Sequence, residues 1–262
     1  MGVLQGVFEW LPISSEGQTM LAMMGFFQLS AQTAFSVAIF LHLGTCLAVL
    51  VKFRSEFISI LKNLNSKLSR ILVVATCATA ITAIPLFLLI KHSFTGSNSD
   101  AAALLIGVLL ILTGIWFKVS KQNGAKDIED ITFRDMITVG LVQGFAILPG
   151  VSRSGTTITV LLLSGVKHEV SLFISFLMSV PVVLGSVFLD LPSIMSTSAS
   201  TLSLSTHISL QAAVIMILSS MVIGYLTMDM LLGVARKVNF SMFCVLLGAI
   251  TIILVAAPML GI

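Results

Sequence analysis

Two short polar stretches interrupt an otherwise apolar chain, and their residue types suggest chemistry. In GVFEWLPISSEGQT (Gly6 to Thr19), Glu9 and Glu16 bracket Ser14 and Ser15. In PGVSRSGTT (Pro149 to Thr157), Ser152, Ser154, Thr156 and Thr157 surround Arg153. Gln5 and Glu9 stand four residues apart, so they share one helix face. Ser14 and Ser15 follow the proline, where a new helix should start. Their hydroxyls and the unpaired backbone N–H groups can cap that helix or meet an anion. In the second stretch Gly150 allows close backbone approach, the hydroxyls donate, and the guanidinium offers a planar fork suited to phosphate. Of 14 lysines and arginines, Arg153 alone lies deep inside an apolar region, where an ionisable residue is a functional hypothesis by default. Glu9 and Glu16 would repel a polyoxygen anion unless a divalent cation bridges them or one carboxyl is protonated. Carboxylates, a nucleophile-grade hydroxyl and an arginine together suit phosphoryl chemistry. The structural alternative is an ion pair of Arg153 with Glu9 or Glu16 that only fixes two segments together. The excess of hydroxyls around Arg153 goes beyond what an ion pair needs.

The elements that position these residues must sit in lipid. The 262-residue chain is 57% hydrophobic and only 10% charged, with a mean hydropathy of +1.10. A soluble domain carries about a quarter charged residues, so one globular core cannot absorb this apolar excess. A net charge of +3 is no nucleic-acid signal. Cys46, Cys77 and Cys244 lie apart and show no metal or disulfide spacing. The sequence shows no signal-peptide pattern ahead of its first apolar segment. Six stretches reach the roughly 20 apolar residues of a spanning helix: 34–52, 70–90, 101–119, 170–190, 208–226 and 239–260. Two more, 2–29 and 133–166, are broken at LPISSEG and ILPGVSRSGTT. Proline and the serines interrupt a helix there, and irregular backbone at membrane depth must be buried or line a wet cavity. Both are expected to be re-entrant helix–loop–helix hairpins.

Basic residues orient the chain. Lys52, Arg54, Lys62, Lys67 and Arg70 surround one loop, and Lys118, Lys121, Lys126 and Arg134 another. Lys167 and the pair Arg236–Lys237 flank two more, while 191–207 has none and 91–100 only Lys91. By the positive-inside rule the basic loops are cytoplasmic and both termini external. A shift of 138 residues lays Gly2, Gln5, Gly6, Ser14 and Gly17 over Gly140, Gln143, Gly144, Ser152 and Gly155. Three spans follow each hairpin, so the second copy is inverted. The expected fold is thus an all-α integral membrane protein with an inverted-topology repeat, its halves being 1–132 and 133–262. Such repeats place a site at the membrane midplane. The simpler alternative is that the matched small residues only let helices pack closely. His42 lies within a span, and a helix-packing or hydrogen-bonded histidine is favoured over one that faces the cavity. Asp190 and Asp229 are expected to reach the interface, and 193–206 to form an external loop.

GVLQGVFEWLPISSEGQ and LPGVSRSGTT resemble the two signature segments of the undecaprenyl-diphosphate phosphatase family, also called the bacitracin-resistance protein family. FSVAIFLHLGTCLAVLVKF and SVPVVLGSVF also look like family spans. The resemblance implies a membrane hydrolase that removes the terminal phosphate of a long-chain polyprenyl diphosphate. The product is the monophosphate carrier for cell-envelope glycans, and the activity gives bacitracin resistance. Carried over, Glu9 is the motif carboxylate, Ser15 the nucleophile, and Arg153 the diphosphate ligand, helped by Ser14, Gly150, Ser152, Ser154, Thr156 and Thr157. A divalent cation, magnesium or calcium, is implied near the acidic residues, with Glu9 and Gln5 as its ligands. The family usually has histidine where Gln18 stands, and glutamine is no acid or base near neutral pH. Glu16 is expected to supply the missing proton transfer, leaving Gln18 to substrate contact. The partners expected are the lipid, the membrane and a second copy of the chain, with no nucleic acid. The site is expected to face the outside of the plasma membrane. Two rivals remain: a polyprenyl-phosphate transporter using the same anion site, and an inactive lipid-binding scaffold.

Overall fold

A computed structural model describes residues 1–94, 98–118, 124–199, 210–235 and 239–259. Among them six helices are long and apolar enough to cross a membrane. They are α3 (Ala31–Lys52), α5 (Lys67–Phe94), α6 (Ser99–Phe117), α9 (His168–Ala199), α10 (Leu210–Ala235) and α11 (Phe240–Met259). Shorter helices complete the set: α1 (Gly2–Phe8), α2 (Ser15–Phe27), α4 (Arg54–Lys62), α7 (Phe133–Gln143) and α8 (Arg153–Leu163). The outward faces of the spans carry exposed side chains such as Ile81, Leu88, Ile215, Leu226 and Leu254. With no polar solvent to avoid, those faces suit lipid.

The expected breaks are where the helices stop. Between α1 and α2 the chain turns through Pro12, and Ser14 takes a left-handed conformation with φ 59°. Ser14 then caps α2 by accepting from the Gly17 N–H at 3.3 Å. Trp10 pins the turn: its indole donates to the Gly224 carbonyl at 2.9 Å, and its ring meets Phe176 edge-on. After α7 a short 3-10 segment, Gly144–Ile147, leads into Pro149 and Gly150. Gly150 has φ +109°, a conformation that glycine adopts without strain. Ser152 caps α8 through the Gly155 N–H at 3.3 Å. By contrast Pro85, Pro181 and Pro192 sit inside continuous spans, as tertiary packing in membranes allows.

Each broken pair packs against a span of the other half of the chain. α1 lies on α10, α7 lies on α5, and α6 pairs with α11. Without a hydrophobic drive between helices, close backbone contact must hold them. A Cβ at Gly2 or Gly6 would collide with Met216 or Ser220 of α10, and one at Gly140 or Gly144 with Ala75 or Thr82 of α5. The matched glycines therefore do serve close packing.

Several boundaries differ from expectation. The segment read as a loop from 193 is helical through Ala199. Residues 200–206, Lys121, Arg236 and Lys237 lie outside the described residues. α4, which sequence reading missed, is a short basic helix with Ile60 buried. Asp190 is fully buried within the protein beside Lys91, 2.9 Å away. Asp229 is exposed and pairs with Lys52 at 2.5 Å. Near α7, Lys126 meets Asp135 at 3.0 Å and Lys167 meets Asp127 at 2.8 Å. The Lys167 hydrogen bond holds the Asp127 carboxyl below the usual range.

Candidate active site

The two turns meet each other. Ser14 Oγ accepts from the Gly150 N–H at 2.9 Å, tying the first break to the second. The Gly150 carbonyl accepts from Thr113 of α6 at 3.1 Å. Above this junction the N-termini of α2 and α8 converge, presenting Ser15 and Arg153 as their first residues. Both ends carry partial positive charge and unpaired N–H groups, which favour an anion.

Glu9, at the end of α1, organises the polar side chains. One oxygen accepts from the Arg153 guanidinium. The other accepts from Ser15 Oγ at 2.7 Å and from the Gln5 amide at 2.8 Å. Arg153 also donates to the Ser175 carbonyl of α9 at 3.0 Å. His42, half-way along α3, brings Nε2 to 3.3 Å from the same Glu9 oxygen and 3.4 Å from Ser15 Oγ. Its Nδ1 lies 2.7 Å from the Ala38 carbonyl, one turn back on α3. Packing alone does not explain this ring. The signal for it was the rarity of a titratable group at the middle of a span.

A small polar cavity of about 30 Å³ is lined by Glu9, Ser15, Glu16, His42, Ser152, Arg153 and Ser154, with Ser14 at its edge. A second cavity of about 60 Å³, mostly apolar, shares Glu16, His42 and Arg153 with it. The first has room for little more than a water molecule, so a diphosphate must shift side chains to enter.

The other expected residues are placed as follows. Ser154 Oγ lies 3.5 Å from Ser152 Oγ within the cavity. Gly150 contributes its backbone to the junction and does not line the cavity. Thr157 is fully buried, its hydroxyl 3.0 Å from Gln143 Oε1 and 2.8 Å from the Arg153 carbonyl. Thr156, buried in the same turn, also stands off the cavity wall. Gln18 turns back to the Ile13 carbonyl at 3.3 Å and does not line the cavity either. Glu16 reaches both cavities, and its Oε1 is buried without a hydrogen-bond partner.

Comparison with known proteins decides the family. The chain matches the family described as bacitracin resistance protein BacA over residues 1–253. The chain belongs to the BacA family. Among its relatives, the undecaprenyl-diphosphatase of Methanothrix thermoacetophila is 50% identical over 98% of this chain and 96% of its own. Those of Methanopyrus kandleri and Carboxydothermus hydrogenoformans are 37% and 32% identical, over 99% and 98% of this chain and 96% of each of theirs. The two stretches that carry the resemblance in the sequence are the ones that form the junction.

For a divalent cation, Glu9 does not fit as it stands, because both its oxygens already accept hydrogen bonds, one of them from a cation. Gln5 turns its amide N–H toward Glu9 and keeps a buried Oε1 without a hydrogen-bond partner. Among the described residues no three His, Cys, Asp or Glu side chains gather as a metal site. Glu16, with an unpartnered oxygen facing the cavity, does fit as one ligand of an ion that is otherwise held by phosphate oxygens and water.

Proposed function

We propose that this chain hydrolyses the terminal phosphate from undecaprenyl diphosphate, or a polyprenyl diphosphate of similar length, to give the monophosphate and inorganic phosphate. In the cell this recycles the lipid carrier for envelope glycans and confers bacitracin resistance. One observation carries the reading: Ser15 Oγ, the Glu9 carboxylate and the Arg153 guanidinium meet in one cavity where two helix N-termini converge. The named activity of the relatives supports it, and none of those cited is named as a transporter.

The geometry supports the following roles. Arg153 leaves Glu9 to grip the terminal phosphate, helped by the N–H groups of α2 and α8 and by the hydroxyls of Ser152 and Ser154. Glu9 holds Ser15 in line until substrate arrives. Ser15 Oγ then attacks the terminal phosphorus, and charge developing on the phosphoryl oxygens is met by groups already in place. A magnesium or calcium ion bound at Glu16 would neutralise diphosphate charge. The prenyl tail lies among the spans beside the second, apolar cavity. The halves 1–132 and 133–262 are read as an inverted repeat, which the exchange of α1–α10 and α7–α5 packing supports. The plasma membrane, an external approach for the head group and a homodimer complete the proposal. Light scattering in detergent tests the last of these.

The activity itself is tested by phosphate release from a long-chain polyprenyl diphosphate by purified protein in detergent, with magnesium, calcium or a chelator. The reading expects release that falls on chelation. A protein that binds the lipid and releases no phosphate contradicts it.

A further inference from the structure

The family motif has histidine at the position of Gln18, yet Gln18 turns away from the cavity to the Ile13 carbonyl. The ring that does reach the proposed nucleophile comes from another element. His42 lies on α3, 27 residues beyond Ser15, with Nε2 at 3.4 Å from Ser15 Oγ and 3.3 Å from Glu9 Oε2. The Ala38 carbonyl at 2.7 Å accepts from Nδ1–H and so fixes the ring's orientation and tautomer. Nε2 is left as the atom that faces the reacting hydroxyl. A nucleophile, a base within reach and a third group orienting the base form the usual arrangement for activating serine. His42 also lines both cavities, so it can reach a phosphate in the first and water in either.

We propose that His42 is a catalytic residue and the proton carrier of this reaction, presented from α3 in place of the motif histidine. The proposal rests on the diphosphatase reading. As the Ser15 Oγ–phosphorus bond forms, the hydroxyl proton passes to His42 Nε2, and Glu9 beside it stabilises the imidazolium. The bridging phosphorus–oxygen bond breaks, its electron pair stays on the departing polyprenyl monophosphate, and His42 returns the proton to that oxygen. Water then attacks the phosphoserine and gives one proton to His42. The Ser15 Oγ–phosphorus bond breaks, Ser15 takes that proton back, and inorganic phosphate leaves. Protons and bonds balance over the two steps, and no other reactant is consumed.

The test is turnover of a long-chain polyprenyl diphosphate by the parent, His42→Gln and His42→Asn proteins, with kcat and KM separated. Rates are taken per folded molecule, counted by gel filtration in detergent. Asparagine keeps a donor near Ala38 and offers nothing to Ser15. Glutamine reaches toward Ser15 and Glu9 but carries no proton between them. Both variants are expected to keep KM and to lose roughly 10²–10⁴-fold in kcat, the usual worth of a general acid–base. A glutamine variant turning over within about threefold of the parent's kcat would overturn the proposal, since it leaves His42 only a positioning role. Two variants that yield no folded protein would also overturn it, by making the ring structural. A parent protein that releases no phosphate contradicts the diphosphatase reading itself, a result distinct from either.

Discussion

Ser14 illustrates how much one hydroxyl can hold. Its oxygen accepts from Gly17 N–H within its own helix and from Gly150 N–H across the junction. Removing it strips a helix cap and leaves two buried donors without that partner, each worth about 1 kcal/mol or more. Ser14→Ala is therefore expected to destabilise the protein by roughly 1–3 kcal/mol, read as a lower thermal midpoint in detergent, and to loosen both turns together. A midpoint equal to the parent's would show that the cross-junction bond holds nothing. Glu16 makes a different residue-scale case. If it takes the cation, Glu16→Gln should raise the magnesium or calcium concentration needed for half-maximal release. An unchanged cation dependence would remove Glu16 from that role. Sequence alone drew out Glu9, Glu16, Ser14, Ser15 and Arg153 because charged and hydroxyl residues are expensive in lipid, and the family resemblance picked Glu9 and Ser15 among them. It could not place Thr156, Thr157 or Gln18, whose side-chain directions depend on neighbours distant in sequence. It also undervalued His42, whose partners Glu9 and Ser15 lie on another helix pair.

At the scale of elements, the broken helices are held by glycine contacts. Gly6 lies against Gly224, Ser220 and Ile223 of α10, with no space for a side chain. Gly6→Val is expected to cost about 1–3 kcal/mol by overpacking and to shift α1, and with it Glu9, away from Ser15. Purified variant protein should show both a lower thermal midpoint and lower phosphate release; parental values for both would contradict the packing described. The entry to α7 responds to pH. Burial would raise the Asp135 carboxyl, but the Thr132 N–H and the Lys126 ammonium outweigh it and hold it below the usual range. A carboxyl lowered on folding contributes stability above its unfolded value, and that contribution is lost as pH falls through the folded one. Asp135→Asn should therefore cost about 1 kcal/mol of stability at neutral pH through the capping box, read as a lower thermal midpoint, and flatten the fall of that midpoint in acid. Spans and breaks were legible because length, hydropathy and proline mark them. The helical run to Ala199 was not, since a serine- and threonine-rich composition resembles a loop.

For the whole molecule, the site is a product of assembly. Neither broken pair holds it alone: Glu9 and Ser15 come from the first, Arg153 from the second, and His42 from the span between them. Composition and proline mark each break by itself, but their meeting, the Ser14–Gly150 bond included, is visible only in the assembled helices. The orientation proposed from the basic loops belongs to this scale too, because charge placement is read against the membrane as a whole. The central claim is that this junction performs hydrolysis, and the most direct measurement compares phosphate release by the parent, Ser15→Ala and Arg153→Ala proteins per folded molecule. The account predicts cation-dependent release by the parent and a loss of at least about a hundredfold in each variant. Parental release by a folded Ser15→Ala or Arg153→Ala protein would contradict it.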